Sequence, residues 1–368
     1  MRPHVTGSPN PAATKDNSGG DSSGPQLPAI FSRYKSSVES ELFRSVPGTQ
    51  GDDLFFPLRY HLGWVDQSGK PAESSLSQGK ALRPTLCLFA CEALDADPAL
   101  ALPAAAALEL IHNFSLIHDD IQDQDVERRH QPTLWRLWGI PRALVAGNGL
   151  QSVGDLALLN VAGPSVPAET ALRVSQILTE SYVEMIQGQC LDLEFESRTD
   201  IKADTYLQMI AFKTGAIIRS GLEIGALLAS GDPAAFRAFS QFGSGVGRAF
   251  QIRDDYLGIW GDQATTGKAA GNDIRRRKKT FPVVFALEKT GGPARQELLR
   301  IYGHEELDDD DVDRVLNILE EVGAQKQSQT ITQTSAEEAL EALAPLTLPG
   351  WATAEADALV DFLANREF

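Results

Sequence analysis

Apolar residues recur at three- and four-residue intervals along most of the chain, which is the spacing of amphipathic helices. The spacing predicts helices over 143–161, 168–197, 203–229, 233–260 and 310–323, and the Ala/Leu-rich segment 99–118 is long enough for several helical turns. The Val/Ile/Thr alternation typical of strands is nearly absent, and Gly and Pro cluster between the helical stretches. The pattern therefore predicts an all-α protein.

The first 28 residues differ from the rest of the chain. They are rich in Gly, Ser, Pro and Asn and hold few large apolar groups, so 1–28 is predicted to be a disordered N-terminal tail. No repeat or long linker interrupts 29–368. We expect this part to form one all-α domain, a bundle of helices around a deep central cavity.

Composition and charge narrow the classes of function. Apolar residues make up 42% of the 368 residues, as in a packed core, and the net charge of −17 argues against nucleic-acid binding. No apolar run approaches the roughly 20 residues of a membrane span. The low cysteine count favours a reducing, cytoplasmic location over a disulfide framework. Cys87 and Cys91 share a helical face, but without further His or Cys partners they favour buried thiols over a zinc site.

Two acidic pentads stand out within apolar helical patterns: DDIQD at Asp119–Asp123 and DDYLG at Asp254–Gly258. Clustered carboxylates repel one another in such surroundings, and a divalent cation is the usual compensation. Carboxylates without nearby His or Cys suit Mg²⁺, which commonly binds through one or two carboxylates plus substrate phosphates. The two pentads are therefore predicted to form opposite walls of one diphosphate site.

Helix geometry divides the first pentad. Asp119 and Asp123 are four residues apart, so they share a face at about 6 Å along the axis, whereas Asp120 points about 100° away and is predicted to be peripheral. His112 lies seven residues before Asp119 on the same face. It is either a structural histidine or part of the site.

Cations accompany both pentads. Arg128 and Arg129 follow the first one and point apart, so they can take different phosphate partners or form a solvated loop. Upstream, Lys80 and Arg83 are three residues apart and form a candidate anion clamp. Lys213 lies in an apolar stretch, where it needs room to reach solvent or an anionic partner.

The second pentad is preceded by Gln251 and followed by Lys268 and the basic run 275–279. Because each acidic pentad is accompanied by cationic side chains, the sequence predicts cleavage of a carbon–oxygen bond with diphosphate as the leaving group. Metal ions and cations would stabilise the leaving group, and an apolar cavity would protect a carbocation from water. By contrast, the acidic run 308–311 predicts only the solvated start of a helix.

Five motifs occur in a recognisable order: GKALRP, HNFSLIHDDIQDQDVERR, KTG, FQIRDDYLGIWGD and TGKAAGNDIRRRKKTFP. Together they resemble the trans-isoprenyl diphosphate synthases over about 30–368, most of all a bacterial geranylgeranyl diphosphate synthase. The resemblance implies a homodimer with about three Mg²⁺ ions per site, which Mn²⁺ can replace. It also implies a reaction in which dimethylallyl, geranyl or farnesyl diphosphate ionises. The double bond of isopentenyl diphosphate then attacks the cation, and a proton is lost to the departing diphosphate.

The same resemblance implies roles for individual residues. The isopentenyl diphosphate site would be Lys80, Arg83, His112 and Arg129. Contacts to the allylic diphosphate would be Arg128, Lys213, Gln251 and Lys268, with Thr214 beside the developing cation. The metal ligands would be Asp119, Asp123 and Asp254, with Asp120 and Asp255 in the same motifs. Lys278 falls on a further lysine of the pattern, although its neighbour Lys279 leaves the register open.

Two positions bear on activity and product. Gly258 stands where the family pattern DDxxD has its last carboxylate, and we expect an active enzyme if Asp254 carries most of the coordination. Phe114 and Ser115, five and four residues before the first pentad, resemble the pattern of C20 producers. An ideal helix places Phe114 about 140° from Asp119, so an ordinary core role for it stays open.

The preferred function is therefore Mg²⁺-dependent head-to-tail (1′-4) condensation that yields geranylgeranyl diphosphate. Farnesyl or longer-chain (C25 and above) products are the alternatives within the family. A noncatalytic partner subunit is an alternative of another class, although such chains tend to lose the acidic residues kept here. A terpene cyclase is disfavoured because its NDxxSxxxE pattern fails: Asn272-Asp273 is followed at the required spacings by Arg276 and Thr280.

Overall fold

A computed structural model describes residues 27–48, 54–72, 81–261 and 271–366, and these form an all-α fold, as predicted. The helices are α1 (Ala29–Arg33), α2 (Lys35–Ser45), α3 (Phe55–His61), α4 (Leu82–Ala93), α5 (Leu102–Gln122), α6 (Leu134–Trp138), α7 (Ile140–Leu159), α8 (Ala168–Ser197), α9 (Ala203–Ile210), α10 (Ala216–Ala229), α11 (Pro233–Trp260), α12 (Asn272–Arg275), α13 (Phe281–Lys289), α14 (Gly292–Ile301), α15 (Asp309–Glu321), α16 (Ala324–Leu343) and α17 (Gly350–Asn365). Within the described residues, the strands are one antiparallel pair, β1 (Glu127–Arg128) and β2 (Gln131–Pro132). Most of the tail predicted over 1–28 lies outside the described residues, so the domain boundaries stay a prediction.

Helix α5 runs through the centre of the bundle. It packs against α4, α7 and α10, and its apolar side chains Leu108, Leu110 and Ile111 are fully buried. Each large apolar side chain buried in this way contributes about 1.5–3 kcal/mol. Helix α10 also packs against α11, which packs in turn against α16. This continuous core fixes the two pentad-bearing helices, α5 and α11, relative to each other.

The helical periodicity locates the long elements well. The predictions for 168–197 and 233–260 coincide with α8 and α11. Helix α5 extends beyond the Ala/Leu-rich segment 99–118 to Gln122, so the first pentad lies at its C-terminal end. The acidic run does begin a helix, as predicted: the side chain of Asp308 accepts a hydrogen bond from the backbone N–H of Asp311 (2.8 Å) at the start of α15.

The predicted helix over 203–229 contains an irregularity at the KTG motif. Residues Ala211–Gly215 form a π-helical turn between α9 and α10. Gly188 of α8 permits this turn to approach closely, because a β-carbon at Gly188 would lie 2.6 Å from the Cα of Lys213. Such turns are rare and frequently occur at functional sites. Here the turn contains Lys213 and Thr214.

One segment is longer and more apolar than the sequence analysis expected. Pro98–Gln122, a 3₁₀ turn followed by α5, meets the length and composition of a membrane-crossing helix among the described residues. However, 67% of its most apolar window is buried inside the protein. The central position of α5 in the core accounts for this composition, so the segment is weak evidence for a membrane span.

Candidate active site

The two acidic pentads contribute to the same cavity. Its volume is about 600 Å³, and it is lined by Asp119 and Asp123 from α5 and by Asp254 from α11. Among the described residues, no three His, Cys, Asp or Glu side chains form a ready-made metal cluster. A cation that binds through one or two carboxylates, as Mg²⁺ commonly does, completes its coordination with water and phosphate oxygens.

The two adjacent aspartates of the first pentad have different surroundings. Burial, opposed in part by Lys213 and reinforced by Asp123, raises the pKa of Asp119. Asp120 does not line the main cavity: its side chain is buried and accepts a hydrogen bond from Nε of Arg128 at 2.6 Å. Burial nevertheless raises the pKa of Asp120 to about 6. Asp120 therefore anchors an arginine, and Asp119 faces the cavity.

The apolar context of Lys213 left two alternatives open, room to reach solvent or an anionic partner, and the structure shows an anionic partner. Its Nζ donates a hydrogen bond to Oδ2 of Asp192 on α8, at 2.5 Å. Burial alone would lower the pKa of Lys213, but the carboxylates of Asp192 and Asp119 raise it above the ordinary value. The lysine is therefore charged at neutral pH at the edge of the cavity. Asp192 was missed by the sequence analysis because a single acid in an amphipathic helix carries no local signal.

A chain of hydrogen bonds connects the KTG motif to the second pentad. The hydroxyl of Thr214 donates to Oε1 of Gln251 (2.7 Å), and Nε2 of Gln251 donates to Oδ1 of Asp255 (3.0 Å). Asp255 is 3% exposed and also accepts from the hydroxyl of Tyr206 (2.6 Å) and the backbone N–H of Phe281 (3.0 Å). Burial raises the pKa of this carboxyl to about 7. Asp255 thus holds Gln251 in place, whereas Asp254 faces the cavity.

The predicted residues of the isopentenyl site that the structure describes line different cavities. Arg83 and His112 line the main cavity, whereas Arg129 lines two other cavities. Burial lowers the pKa of Arg83 to about 10, so Arg83 keeps its charge. Its buried Nε makes no hydrogen bond within the part of the chain that the structure describes. Burial, reinforced by Arg83 and Arg129, holds the pKa of His112 well below its usual range. His112 is therefore a neutral hydrogen-bonding group.

The hairpin β1–β2 positions the paired arginines. Arg129 and His130 form its two-residue turn with φ angles of 51° and 61°. Such turns require positive φ at both central residues and usually contain Asn or Gly there, so these two residues carry backbone strain. Arg128 lines the main cavity and Arg129 does not, but both arginines line a small pocket beside Asp120 and His61.

The structure distinguishes the two lysines after the second pentad. Nζ of Lys278 lies 3.6 Å from Oδ2 of Asp123. Nζ of Lys279 instead donates to the backbone carbonyl of Phe195, at 2.9 Å. Lys278 is therefore the lysine beside the first pentad. Lys80 and Lys268 lie outside the described residues.

Both residues expected to influence chain length line the main cavity. Phe114 is 6% exposed, and its ring meets that of His118 edge-on, with centroids 4.9 Å apart. The hydroxyl of Ser115 donates to the carbonyl of His112 at 2.8 Å. Met185 and Ile217 add apolar surface to the same cavity. Phe114 is thus both a core residue and part of the cavity wall.

Two further arginines, to which the sequence analysis gave no individual role, also contact the acidic walls. Arg276 forms an ion pair with Asp125, just beyond the first pentad. Arg366, near the end of the chain, lies 3.3 Å from Asp254, which is 112 residues earlier in sequence. Contacts over such separations depend on tertiary packing, so no local pattern predicts them.

A family comparison now adds to this geometry. The model of the polyprenyl synthetase family matches residues 66–319. The chain belongs to the polyprenyl synthetase family. This confirms the resemblance inferred from the five motifs, and the protein is a prenyltransferase, a prenyl diphosphate synthase.

Individual members of the polyprenyl synthetase family agree in sequence and fold. A (2E,6E)-farnesyl diphosphate synthase from Mycobacterium tuberculosis is 39% identical over 313 residues, which cover 84% of this chain and 85% of the relative. A geranylgeranyl diphosphate synthase of the same organism is 37% identical over 274 residues, covering 74% and 76%. The crystal structure of geranylgeranyl pyrophosphate synthetase from Pyrococcus horikoshii superposes with a TM-score of 0.82 at 32% identity, covering 92% of this chain and 98% of that one.

Polyprenyl synthetases generally use Mg²⁺, and the residues present fit this ion. Asp119, Asp123 and Asp254 offer only oxygen donors, which hard cations prefer. The raised pKa of Asp119 reflects a buried carboxylate near other acids, and a cation would relieve that repulsion.

Proposed function

We propose that this polyprenyl synthetase makes geranylgeranyl diphosphate by Mg²⁺-dependent condensation of isopentenyl diphosphate with an allylic diphosphate. The main support is one cavity that combines carboxylates from both pentads with cations and apolar side chains. Asp119, Asp123 and Asp254 would hold the metal ions, and the lysine and arginine side chains would contact diphosphate oxygens directly. Bound Mg²⁺ would supply the charge that neutralises the leaving diphosphate.

The chemistry needs no protein nucleophile. The bond between C1 and oxygen of the allylic substrate breaks, and its electron pair leaves with diphosphate. The double bond of isopentenyl diphosphate then attacks C1, and a proton from the new tertiary cation passes to an oxygen of the departing diphosphate. Lys213 and Arg128 line the cavity and would hold that diphosphate, joined by Gln251, Lys278 and Lys268.

Thr214 is suited to the developing allylic cation. Because its hydroxyl proton is donated to Gln251, the oxygen retains lone pairs for the cavity that Thr214 lines. Gln251 keeps this orientation, since its amide is fixed in turn by Asp255. An oxygen dipole held in this way stabilises positive charge without reorganising during the reaction.

Arg83 is the best-supported group of the isopentenyl diphosphate site. Its buried Nε has a hydrogen to donate and no acceptor among the described residues, and an anionic substrate would provide one. His112, neutral and on the same cavity, would add an uncharged hydrogen bond. Lys80 and Arg129 complete the proposed set.

The product assignment follows the course of α5. Phe114 and Ser115 lie five and four residues before Asp119, so they sit about 6–8 Å further along the helix axis. An isoprenoid chain that extends along α5 from the diphosphate would reach Phe114 and Ser115, and the large Phe114 ring would limit the length of the chain. A C15 product is the specific alternative, favoured by the similarity to the farnesyl diphosphate synthase of M. tuberculosis.

We propose that the enzyme is a homodimer. Helices α7 and α8 expose several large apolar side chains, among them Leu156 (63% exposed), Leu159 (65%) and Leu172 (71%). A concentration of exposed apolar groups on neighbouring helices is characteristic of a protein interface. A second copy of this chain is the partner that the family resemblance implies.

A reducing compartment, the cytoplasm, is proposed as the location. The three cysteines are free thiols, and Cys87 and Cys91 are buried in the core. Burial raises the pKa of both thiols, which keeps them protonated and unreactive.

Product analysis tests the proposed function. Purified protein with Mg²⁺ is incubated with isopentenyl diphosphate and a C5, C10 or C15 allylic starter, and the products are sized after dephosphorylation. We expect mainly the C20 alcohol. A C15 or C25 end product would overturn the chain-length assignment. Turnover unchanged by Asp119→Ala would exclude the proposed metal site, and a folded wild type without turnover would favour a partner subunit.

A further inference from the structure

The second pentad lacks its last carboxylate in sequence, but another carboxylate occupies the corresponding space. Gly258 lies one turn after Asp254 on α11. A β-carbon built on Gly258 would lie 2.5 Å from Cγ of Asp273 and would overlap its Oδ2. The side chain of Asp273 therefore rests on the backbone of α11, where the side chain of a fifth-position acid would begin.

The backbone that carries Asp273 is fixed by contacts that do not involve its carboxylate. Gly271, with φ of 72°, precedes α12, and its N–H donates to the carbonyl of Ile259 at 2.9 Å. Ile274 is fully buried in the same apolar cluster as Ile259. The backbone hydrogen bond and the buried Ile274 thus hold helix α12 against the end of α11.

The surroundings of Asp273 belong to the diphosphate site. Asp273 lines a polar pocket of about 140 Å³ that adjoins the main cavity. The side chains shared by this pocket and the main cavity include Asp123, Lys213, Asp254 and Lys278. Asp273 therefore faces acidic and cationic groups from both walls of the site.

We propose that Asp273 supplies, from α12, the carboxylate that α11 lacks at position 258, and that it acts on the divalent cation bound at Asp254. In this proposal Asp273 acts through a water ligand of that cation, whereas Asp254 binds the cation directly. Mg²⁺ usually keeps several waters, and hydrogen bonds to such ligands orient them. Asp273 is thus a positioning residue, and its assignment rests on the proposed function.

The inference predicts that the two positions are interchangeable. Asp273→Ala would remove the carboxylate, and Gly258→Asp would return one to α11. Each single change has a defect, since the first leaves no acid and the second forces two carboxylates into one space. In the double variant the conflict disappears, because Oδ1, Oδ2 and Cγ of Asp273 are the nearest atoms to a β-carbon at 258 and all three are absent.

Metal binding provides a readout that does not depend on turnover. Free Mn²⁺ is measured by electron paramagnetic resonance during titration of the protein with inorganic pyrophosphate as the diphosphate probe. We expect Asp273→Ala and the shape-conserving Asp273→Asn to weaken Mn²⁺ binding by about 10- to 100-fold, as removal of outer-shell partners typically does. The Gly258→Asp/Asp273→Ala double variant should recover most of this loss.

Asp310→Ala provides the matched control. Asp310 is likewise an acid in the first turn of a helix, but it is exposed on α15 and does not line the pockets that contain Asp273 or Asp254. It should bind Mn²⁺ like the wild type. Circular dichroism without metal identifies any variant whose loss of binding comes from unfolding, and in that case the Asp273→Asn result decides.

The outcomes separate this inference from the proposed function. Wild-type protein that binds no Mn²⁺ with pyrophosphate would overturn the proposed function itself. If wild type binds and Asp119→Asn weakens binding, but Asp273→Asn binds like wild type, only the role of Asp273 is overturned. A folded double variant that binds no better than Asp273→Ala would overturn the claim that the two positions are equivalent.

Discussion

The guanidinium group of Arg366 lies 3.3 Å from Oδ1 of Asp254, so the end of the described chain contacts the second acidic motif. The same group stacks on Phe250, with its central carbon 4.4 Å from the ring centre. Arg366 is 8% exposed, whereas the side chain of Asp254 is 60% exposed. The contact therefore joins a buried cation to a carboxylate that remains available to solvent and cations.

Replacing Arg366 should destabilise the protein. Arg366→Ala removes both the ring stacking and the ion pair, and we expect a loss of about 1–3 kcal/mol in the free energy of unfolding. The loss is smaller than for a fully buried pair because water solvates Asp254. Arg366→Lys should lose less, since it keeps the charge. Urea denaturation measures both.

The control for this experiment is Arg248→Ala. Arg248 pairs with Glu338 at 3.2 Å, but both side chains are largely exposed, so its loss should cost less than about 1 kcal/mol. Equal effects at the two arginines would contradict the interpretation of Arg366 as a buried anchor.

Removing the hydroxyl of Thr214 should slow the chemical step more than it weakens binding. Thr214→Val keeps the shape of the side chain but removes the oxygen that Gln251 orients. We expect kcat to fall roughly 10- to 100-fold, with less change in KM for isopentenyl diphosphate. Thr332→Val, at a buried threonine that does not line the cavity, should leave kcat unchanged. A rise in KM at constant kcat would instead indicate a binding role.

His61 should make the fold sensitive to acid. Burial, reinforced by Arg129 and Arg128, lowers the pKa of His61 to about 3. The unfolded chain therefore binds a proton between about pH 6.5 and 3 that the folded protein does not, and the free energy of unfolding falls as the pH drops through this window. Between about pH 7.5 and 4.5, the free energy of unfolding should fall by on the order of 2 kcal/mol more in wild type than in His61→Gln.

The measurement for His61 is a series of urea denaturation curves across this pH range. His130→Gln, at an exposed histidine of the hairpin turn, provides the control and should follow wild type. If the free energy of unfolding depends on pH in the same way in His61→Gln and wild type, the buried imidazole is not the cause of the acid sensitivity.

Shortening Phe114 should lengthen the product. Phe114→Ala opens the cavity wall beyond Asp119, and the expected result is a shift toward C25 and longer alcohols in product sizing. Because truncating a buried phenylalanine costs about 3–5 kcal/mol, Phe114→Leu provides a milder variant. Phe236→Ala, at a half-buried ring that does not line the cavity, should keep the wild-type product. An unchanged distribution in both Phe114 variants would assign the limit to other side chains.

A charge on the exposed face of α7 should disrupt the proposed dimer. Leu156→Asp places a carboxylate on a side chain that is 63% exposed in the single chain, so the folded monomer should tolerate it. Light scattering after size exclusion should report roughly half the wild-type mass. Phe43→Asp, also at an exposed apolar position but on α2, should keep the wild-type mass. A monomeric wild type would refute the dimer directly.

Periodicity and spacing predicted those features that depend on a single helix. The four-residue spacing of Asp119 and Asp123 placed both on one face, and the 100° offset of Asp120 correctly directed it away from the main cavity. The limits of α8 and α11 followed from the apolar repeat in the same way. These results depend only on helix geometry, which the local sequence determines.

Features that depend on two distant elements were not predicted. Asp192 meets Lys213 only because Gly188 allows α8 to approach the π-helical turn. Asp273 was considered only in testing for a cyclase motif, although it fills the space above Gly258. Asp192 has no distinctive sequence around it, and Asp273 lies within the fifth motif, which gave no sign that its carboxylate contacts α11. Their positions follow from packing between helices, for which a single sequence gives no direct signal.

The π-helical turn at Ala211–Gly215 determines in which direction the side chains of α10, which follows it, point relative to those of α9. A π turn holds about one residue more than an α turn, so deleting one residue there would allow regular α-helix from Ala203 to Ala229. The deletion would also rotate Lys213 and the residues before it by about 100° relative to α10. Such a variant would have a more regular helix but would lose prenyltransferase activity, because Lys213 would no longer face the cavity. Selection for activity can therefore retain an irregular turn in an otherwise regular helix.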